Sequence, residues 1–415
     1  MLFYSRYFVH YNRLIERGIV LYTKKFRGLK LLLLVAVLLL SANLRAPLTS
    51  VGVLLPAIND DLQLSAFATS IIAILPLLAF SFASLFAAPV STKIGLNRTI
   101  VYALIVITVG IIFRSLGSST LLFTGILLIG IGIAFGNVLA PVFIKASFPL
   151  QVGLVTALYT VNMNIFGALS SAVSAPIAKA TNYNISLAVI GIVTIITLII
   201  WIIVLQKDKE VEAPHPVAVT SSIWRSPLAW QITLFMGGQS VIFYSLINFL
   251  PIILKEQHIP VEVTGGYLTV LQIAIIIFTF IIPMIAANMV HQVYLGCING
   301  LLFIAGIAGM IYGDVKYMLV YILFIGVALG ISFGLVNLFF SMKTEYTHTA
   351  KQLSGMAQAI GYLFAALSVL IFGVIHDYTH DWSHSLYFLL ADALLMLIVG
   401  MLAGRKHTIE GNTIK

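Results

Sequence analysis

Long apolar runs separated by short polar segments make up almost the whole chain. Twelve of these runs are long enough to cross a bilayer, which takes about 20 apolar residues in a helix. They cover residues 30–58, 67–90, 98–117, 120–145, 152–178 and 184–206, and then 227–254, 262–288, 292–312, 316–342, 352–376 and 384–404. The pattern predicts an all-α integral membrane protein with twelve transmembrane helices in two six-helix bundles.

The polar segments divide the chain into five parts. These are a basic, aromatic N-terminal segment (1–28), a first bundle (29–206), a polar linker (207–226), a second bundle (227–404) and a short tail (405–415). The N-terminal segment suits either a helix lying on anionic lipid or a poorly ordered tail. Leu55-Pro56 and Leu250-Pro251 occupy matching places in helices 1 and 7, which indicates duplicated halves.

Composition narrows the class further. Of the 415 residues, 60% are hydrophobic and 9% charged, whereas a soluble domain carries about 25% charged residues. No loop is long enough for a catalytic domain and no Gly-Lys-Ser/Thr phosphate loop occurs, so we expect neither an enzyme nor a cofactor. His376, Asp377 and His380 fall in a predicted loop without metal-ligand spacing, so no metal site is expected either.

Basic residues are distributed unevenly about the predicted membrane. Eighteen of the 23 Lys and Arg residues fall in segments on the side of the two termini, and one, Arg45, lies within helix 1. The remaining four, on the opposite side, are Arg114, Lys179, Lys255 and Lys316. The bias predicts a multi-pass plasma-membrane protein with both termini cytoplasmic. It also explains the net charge of +9 through contact with anionic lipid, so nucleic acid is not expected as a partner.

Arg45 is the residue that most narrows the function. A central Arg costs about 2.5–3.5 kcal/mol on membrane-insertion scales, and such a charge normally faces a water-filled cavity or a partner. None of the helices expected to line a central cavity carries a mid-membrane Asp or Glu, and Asp392 in helix 12 is the only carboxylate at that depth. The guanidinium group is therefore a candidate anchor for an anionic or strongly polar substrate, and a structural pair with Asp392 or with backbone carbonyls is the alternative.

Neutral polar residues on the predicted cavity helices complete the candidate site. They are Asn43, Thr49, Asn137, Tyr159, Asn162, Ser240, Tyr244, Asn248, Gln358 and Tyr362. Each of them alone has a second interpretation, which is a hydrogen bond between helices.

Two stretches resemble a known family. Residues 43–56, NLRAPLTSVGVLLP, and residues 132–145, GIAFGNVLAPVFIK, resemble helices 1 and 4 of the cyanate and 2-nitroimidazole transporter family, a branch of the major facilitator superfamily. The resemblance implies two six-helix bundles around a midplane cavity, alternating by a rocking motion. It also implies a gating loop between helices 2 and 3, with Lys93, Gly95 and Arg98. The acidic residue usual in that loop is missing here, so we expect a weak or differently built latch.

The leading hypothesis is a monomeric secondary transporter of a small anion or a polar heteroaromatic compound. Its partners would be the small-molecule substrate and the lipid bilayer, and protons are open as the coupling ion. Export of drugs or other toxic compounds is the first alternative. A membrane sensor that binds its ligand without moving it is the alternative from another class.

Overall fold

A computed structural model describes residues 28–207, 223–257 and 259–411. The predicted N-terminal segment and most of the predicted linker lie outside these residues. The described part contains twelve helices long and apolar enough to cross a membrane, as predicted. They are α1 (Gly28–Leu62), α2 (Ala66–Ile94), α3 (Leu96–Arg114), α4 (Ser119–Ser147), α5 (Val152–Ala180), α6 (Tyr183–Lys207), α7 (Pro227–Glu256), α8 (Val261–Ala287), α9 (Val293–Tyr312), α10 (Met318–Met342), α11 (Thr347–Thr379) and α12 (Trp382–Ala403).

Consecutive helices run in opposite directions and form two bundles, α1–α6 and α7–α12. Because each bundle has an even number of helices, α1 and α7 begin, and α6 and α12 end, at the same end of the molecule. We call this the terminal end and the opposite one the distal end. Polar side chains start several helices; for example, the Ser226 hydroxyl accepts from the Ala229 amide at 3.4 Å and the Asp381 carboxylate from the Ser383 amide at 2.7 Å.

Small residues allow the helices within a bundle to approach closely. A Cβ atom on Gly125 of α4 would lie 2.5 Å from the Gly110 carbonyl oxygen of α3. In the second bundle, a Cβ on Gly238 of α7 would lie 2.6 Å from the Met396 sulfur of α12. Lipid tails are as apolar as leucine, so close backbone packing of this kind supplies much of the attraction between membrane helices.

The helix α11 begins five residues earlier than the sequence predicts, and the residues just before it lie against the C-terminal tail. The Glu410 carboxylate accepts hydrogen bonds from the amides of Glu345 and Tyr346, at 3.1 and 3.4 Å, just before α11 begins at Thr347. Lys343 donates to the Arg405 carbonyl oxygen at 2.6 Å, and burial lowers the pKa of its ammonium group to about 8. The tail is therefore part of the terminal end of the second bundle.

Candidate functional site

The first helix is interrupted at the place where it carries its charge. Regular α-helical structure stops after Asn43 and resumes at Ala46, and Arg45 lies between the two halves with φ −131° and ψ −41°. Pro47 lies in the first turn of the second half, and it has no amide hydrogen to donate to a carbonyl group of the first half. The carbonyl group of Asn43 therefore lacks the amide donor that a continuous helix would give it.

Arg45 projects between α5 and α7. Its stem lies against Gly167, where an added Cβ would stand 2.9 Å from the Arg45 Cγ atom. Its guanidinium carbon lies 5.2 Å from the centre of the Phe243 ring. Among the described residues, neither a carboxylate nor a hydrogen-bond acceptor pairs with this guanidinium group. The cation is thus held by packing and by an aromatic face, and its planar set of donors is available to a ligand.

Three tyrosines surround the same space. Tyr362 lies within electrostatic range of Tyr159, Tyr244 and Arg45, and Tyr244 lies within range of Arg45. The Tyr362 ring packs on Phe80 with 4.9 Å between ring centres, across the boundary between the bundles. None of the three hydroxyls forms a hydrogen bond within the part of the chain that the structure describes. The three tyrosines therefore place hydroxyl groups and aromatic faces around the Arg45 guanidinium group.

A cavity of about 180 Å³ lies beside this cluster, between α1, α2, α4 and α7. Tyr244 and Arg114 supply its polar wall, and the rest of its lining is apolar or Gly: Leu48, Val51, Gly52, Leu55, Ile72, Pro76, Leu77, Phe80, Ile126 and Ile129. Sites for drug-sized ligands usually measure roughly 300–1,000 Å³. The cavity is smaller than that range, and its wall is mostly apolar.

Arg114 is a buried charge that the sequence analysis missed. The charge count assigned it to the distal side, yet its side chain is 1% exposed inside the first bundle. Its guanidinium group donates to the Pro47 carbonyl oxygen, and lies 3.4 Å from the Ser50 hydroxyl and from the Leu187 carbonyl oxygen. Arg114 therefore binds the carbonyl group next to the break in α1 and ties that helix to α6. In the sequence, Arg114 stands in the last turn of a predicted helix, where a charged residue usually lies at the membrane surface.

Three of the predicted site residues use their polar atoms between helices. Asn43 is 1% exposed and bonds to Thr197 and Thr194 of α6, at 2.7 and 2.5 Å. Asn162 donates to the Leu38 carbonyl oxygen of α1 at 2.7 Å. The Thr49 hydroxyl donates to the carbonyl oxygen of Gly167 in α5 at 2.8 Å. These bonds fasten the broken helix to α5 and α6 on both sides of the break.

The remaining predicted residues differ in how free their polar atoms are. Asn137 is half-buried and makes no side-chain hydrogen bond within the described residues. Gln358 donates to Ser354 at 3.0 Å, while its buried carbonyl oxygen has no partner there. Ser240 is buried and donates to a backbone carbonyl of its own helix, and the exposed Asn248 does the same. Asn137 and Gln358 thus have side-chain donor or acceptor atoms without a hydrogen-bond partner among the described residues.

The two bundles are closed against each other at the terminal end. A Cβ on Gly355 of α11 would lie 2.9 Å from the Ser84 carbonyl oxygen of α2. Lys145, in the last turn of α4, donates to the Ser341 carbonyl oxygen at 3.0 Å and to the Thr344 hydroxyl at 2.8 Å, at the end of α10. The hydrogen bonds found between the bundles in the described residues lie between the centre and the terminal end. Besides the three from Lys145, which include one to the Thr344 carbonyl oxygen, they are Ser341 to the Pro141 carbonyl oxygen, at 2.9 Å, and Thr160 to the Thr279 carbonyl oxygen, at 3.4 Å. The cluster around Arg45 is therefore closed off from the terminal end.

The predicted gating loop lies at this end, apart from the Lys145 contacts. Gly95 has φ 97°, a conformation that favours glycine, and it connects α2 to α3 within a single residue. Lys93 is exposed and lines a cavity between α2 and α11 together with His348 and Gln352, and Arg98 is exposed as well. The gating role of these three residues stays a prediction.

Comparison with known proteins assigns the family. Residues 31–369 match the family model described as Major Facilitator Superfamily. The chain belongs to this superfamily. It is 34% identical over 383 residues to the 2-nitroimidazole transporter of Escherichia coli strain K12, covering 92% of this chain and 97% of that protein. The cyanate transport protein CynX of the same organism is 25% identical over 358 residues, covering 85% of this chain and 92% of that protein. The resemblance seen in α1 and α4 is confirmed.

Solved structures agree on the fold. The proton:xylose symporter XylE, bound to 6-bromo-6-deoxy-D-glucose, has a TM-score of 0.75 at 12% identity, over 90% of this chain and 95% of that chain. The transporter FucP, in its outward conformation, has a TM-score of 0.73 at 13% identity, over 90% and 98%. These identities support the fold alone. The chain is a multi-pass membrane transporter of this superfamily and not an enzyme.

Proposed function

We propose that the chain is a secondary active transporter of a small anion or a polar heteroaromatic compound, working by alternating access, with Arg45 as the substrate anchor. The observation that carries this proposal is the Arg45 guanidinium group, which lies against the Phe243 ring, beside a small cavity, and has no carboxylate or hydrogen-bond acceptor as a partner among the described residues. An unpaired cation in a low-dielectric interior strongly favours an anionic or electron-rich ligand.

The surroundings of Arg45 support the same substrate class. The Tyr159, Tyr244 and Tyr362 hydroxyls can donate to acceptor atoms, while Phe243 and Phe80 offer aromatic faces. A planar heteroaromatic compound with an acceptor group uses both kinds of contact, and a linear anion such as cyanate uses mainly the cation. Two relatives named for 2-nitroimidazole and cyanate fit these two ligand shapes.

The closed terminal end supports access to the cavity from the distal end in this conformation. With the bias of basic residues, we place the terminal end, both termini and the linker in the cytoplasm of a plasma-membrane protein, so that the cavity faces the outside. Rocking of the two bundles would then open the terminal end and close the distal one.

The test is counterflow in proteoliposomes with radiolabelled cyanate and radiolabelled 2-nitroimidazole. Removing one partner of a buried charge pair costs about 2–5 kcal/mol, so Arg45→Met is expected to raise the half-saturation concentration for cyanate roughly a hundredfold. Arg45→Lys keeps the charge without the planar fork and should lose less. Arg225→Met makes the same change at an exposed residue of the terminal end, outside the predicted gating loop, and is expected to behave as wild type.

A folded Arg45→Met protein that exchanges both compounds at wild-type affinity would contradict the anchor role. Binding of either compound without any exchange by the wild-type protein would instead favour the sensor hypothesis. Folding of each variant is checked by its thermal melting temperature in detergent.

A further inference from the structure

A carboxyl group lies in the middle of the second bundle, away from the cluster around Arg45. Asp392 stands halfway along α12, in a groove of about 400 Å³ between α7, α11 and α12. The groove is lined almost entirely by apolar side chains, among them Val241, Phe364, Ile371 and Phe388. Several of its residues are exposed on the outer surface of the bundle, as Ile371 is at 43%, so the groove faces lipid and not the central cavity.

The Asp392 carboxyl group has no partner that would stabilise a negative charge. Its Oδ2 atom is sealed from the surroundings and has no hydrogen-bond partner in the described residues. Its Oδ1 atom lies against the backbone of α7, 3.0 Å from where a Cβ on Gly238 would stand. Burying an unpaired carboxylate costs several kcal/mol, and in practice such a group takes up a proton instead.

No charged group approaches Asp392 from the helices packed on α12. From α7 it meets Gly238 and Val241, and from α11 it meets Phe364 and Ser368, whose hydroxyl already donates to a backbone carbonyl at 2.9 Å. On α9, Gly300 packs against Leu397, and the titratable side chains lie elsewhere. On α7, α9, α11 and α12, the titratable side chains towards the terminal end are Tyr294, Cys297, His348 and Lys351. Those towards the distal end are Lys255, Glu256, Tyr312, His376, Asp377, Tyr378, His384 and Tyr387. Tyr244 and Tyr362 face the Arg45 cluster.

Helix α7 connects this carboxyl group with the candidate substrate site. Gly238 contacts Asp392, and five residues further along the same helix Phe243 lies over the Arg45 guanidinium group. A shift of α7 that opens or closes the central cavity therefore also changes the surroundings of Asp392. A group whose hydration changes with the conformation binds and releases a proton in step with it.

We propose that Asp392 is the proton-binding site of a proton-coupled transport cycle, separate from the substrate site and linked to it through α7. The proposal rests on the transport function proposed above. The carboxylate takes up one proton to become a neutral carboxylic acid in the conformation seen here, and it returns that proton when the conformation changes. With a monovalent anion on Arg45, one proton on Asp392 makes the transported charge zero.

The first experiment separates coupling from exchange, with radiolabelled cyanate in proteoliposomes. In the Asp392→Asn variant, accumulation driven by an inside-alkaline pH gradient is expected to fall at least about tenfold, while counterflow at equal pH stays within about twofold of wild type. Asp392→Glu keeps a titratable carboxyl group and should retain gradient-driven accumulation. Ser368→Ala changes the same groove without removing a titratable group, and should retain both activities.

Gradient-driven accumulation by Asp392→Asn at the wild-type level would overturn the proposal. A wild-type protein that exchanges cyanate but does not respond to the pH gradient would overturn it as well, while leaving the proposed transport function intact.

The second experiment needs no substrate. Infrared difference spectra of wild type against Asp392→Asn are expected to show the C=O band of a protonated carboxylic acid at neutral pH, and the band should shift in Asp392→Glu. Absence of the band at neutral pH would show an ionised Asp392 and overturn the proposal, whether or not cyanate is the substrate. The opposite failure, loss of counterflow in wild type with the band present, would contradict only the proposed substrate.

Discussion

Lys145 offers the sharpest test of how the terminal end is held shut. Its ammonium group belongs to α4 of the first bundle and contacts three acceptors at the end of α10 in the second: the Ser341 carbonyl oxygen at 3.0 Å, the Thr344 hydroxyl at 2.8 Å and the Thr344 carbonyl oxygen. The last carbonyls of a helix have no partner within it and carry partial negative charge. One side chain thus joins the bundles where a cation is most favourable.

The size of the effect follows from these contacts. A hydrogen bond with one charged partner contributes about 1.5–3 kcal/mol when buried. Lys145 is half-buried, so some of this is lost to competition with water, and about 2 kcal/mol is a reasonable total for the closed state. Opening the terminal end breaks all three contacts. Lys145→Met is therefore expected to raise the ratio of open to closed molecules roughly 30-fold.

Cysteine labelling can measure this ratio. Ser84 is completely buried where α2 meets Gly355 of α11, so a Ser84→Cys probe in a Cys297→Ala background becomes reactive only when the terminal end opens. The labelling rate by a maleimide should rise roughly 30-fold with Lys145→Met if opening is a fast pre-equilibrium. Lys207→Met removes the same charge from an exposed side chain at the terminal end of α6, outside the predicted gating loop, and serves as the control. Equal rates in the Lys145 and Lys207 variants would refute the reasoning.

Two further substitutions separate the site from its scaffold. Gly167→Val places a branched side chain where even a Cβ would lie 2.9 Å from the Arg45 Cγ atom. Overpacking of about 1–3 kcal/mol should raise the half-saturation concentration for cyanate five- to hundredfold in the counterflow assay. An unchanged affinity for cyanate would contradict the packing of Arg45 on α5. Asn43→Ala removes the bonds to Thr194 and Thr197 and should cost about 2–3 kcal/mol of stability, seen as a lower melting temperature with unchanged affinity. Lower affinity without loss of stability would return Asn43 to the substrate site.

Much of the fold could be predicted from the sequence because the bilayer fixes the length of each helix. The twelve apolar runs correspond to twelve helices, and the family resemblance of α1 and α4 is confirmed. The start of α11 was predicted wrongly because its first turns are polar and lie outside the apolar layer of the membrane. The first turns of α11 look like a loop in the sequence but are helical, and the two residues just before Thr347 donate their amides to Glu410, more than 60 residues away.

A site residue could be predicted from the sequence where burying its charge in the membrane costs free energy. It could not be predicted where its role depends on which side chains of other helices lie beside it. Arg45 is singled out by the cost of a charge in the apolar layer, whatever surrounds it. Asn43 and Asn137 are both asparagines within predicted transmembrane helices, and the sequence does not distinguish them. In the structure, the Asn43 side chain forms hydrogen bonds with α6, whereas the Asn137 side chain forms none within the described residues. Arg114 was missed because its partner is a backbone carbonyl oxygen, that of Pro47, on another helix more than 60 residues away, which no sequence pattern marks.

The division of polar groups between the bundles indicates how a substrate would be handled. The first bundle supplies the unpaired cation, and its helix α1 is held on both sides of the break by Arg114 and by the bonds to α5 and α6, so the cation has a fixed position. The second bundle supplies the ring of Phe243 on α7 and the exposed Asn248 further towards the distal end. On α1, Gly52 lines the cavity, and no atom lies within 4 Å of a Cβ added there. The distal halves of α1 and α7 are thus the surfaces still free to approach, and their approach would cover a ligand already bound to Arg45.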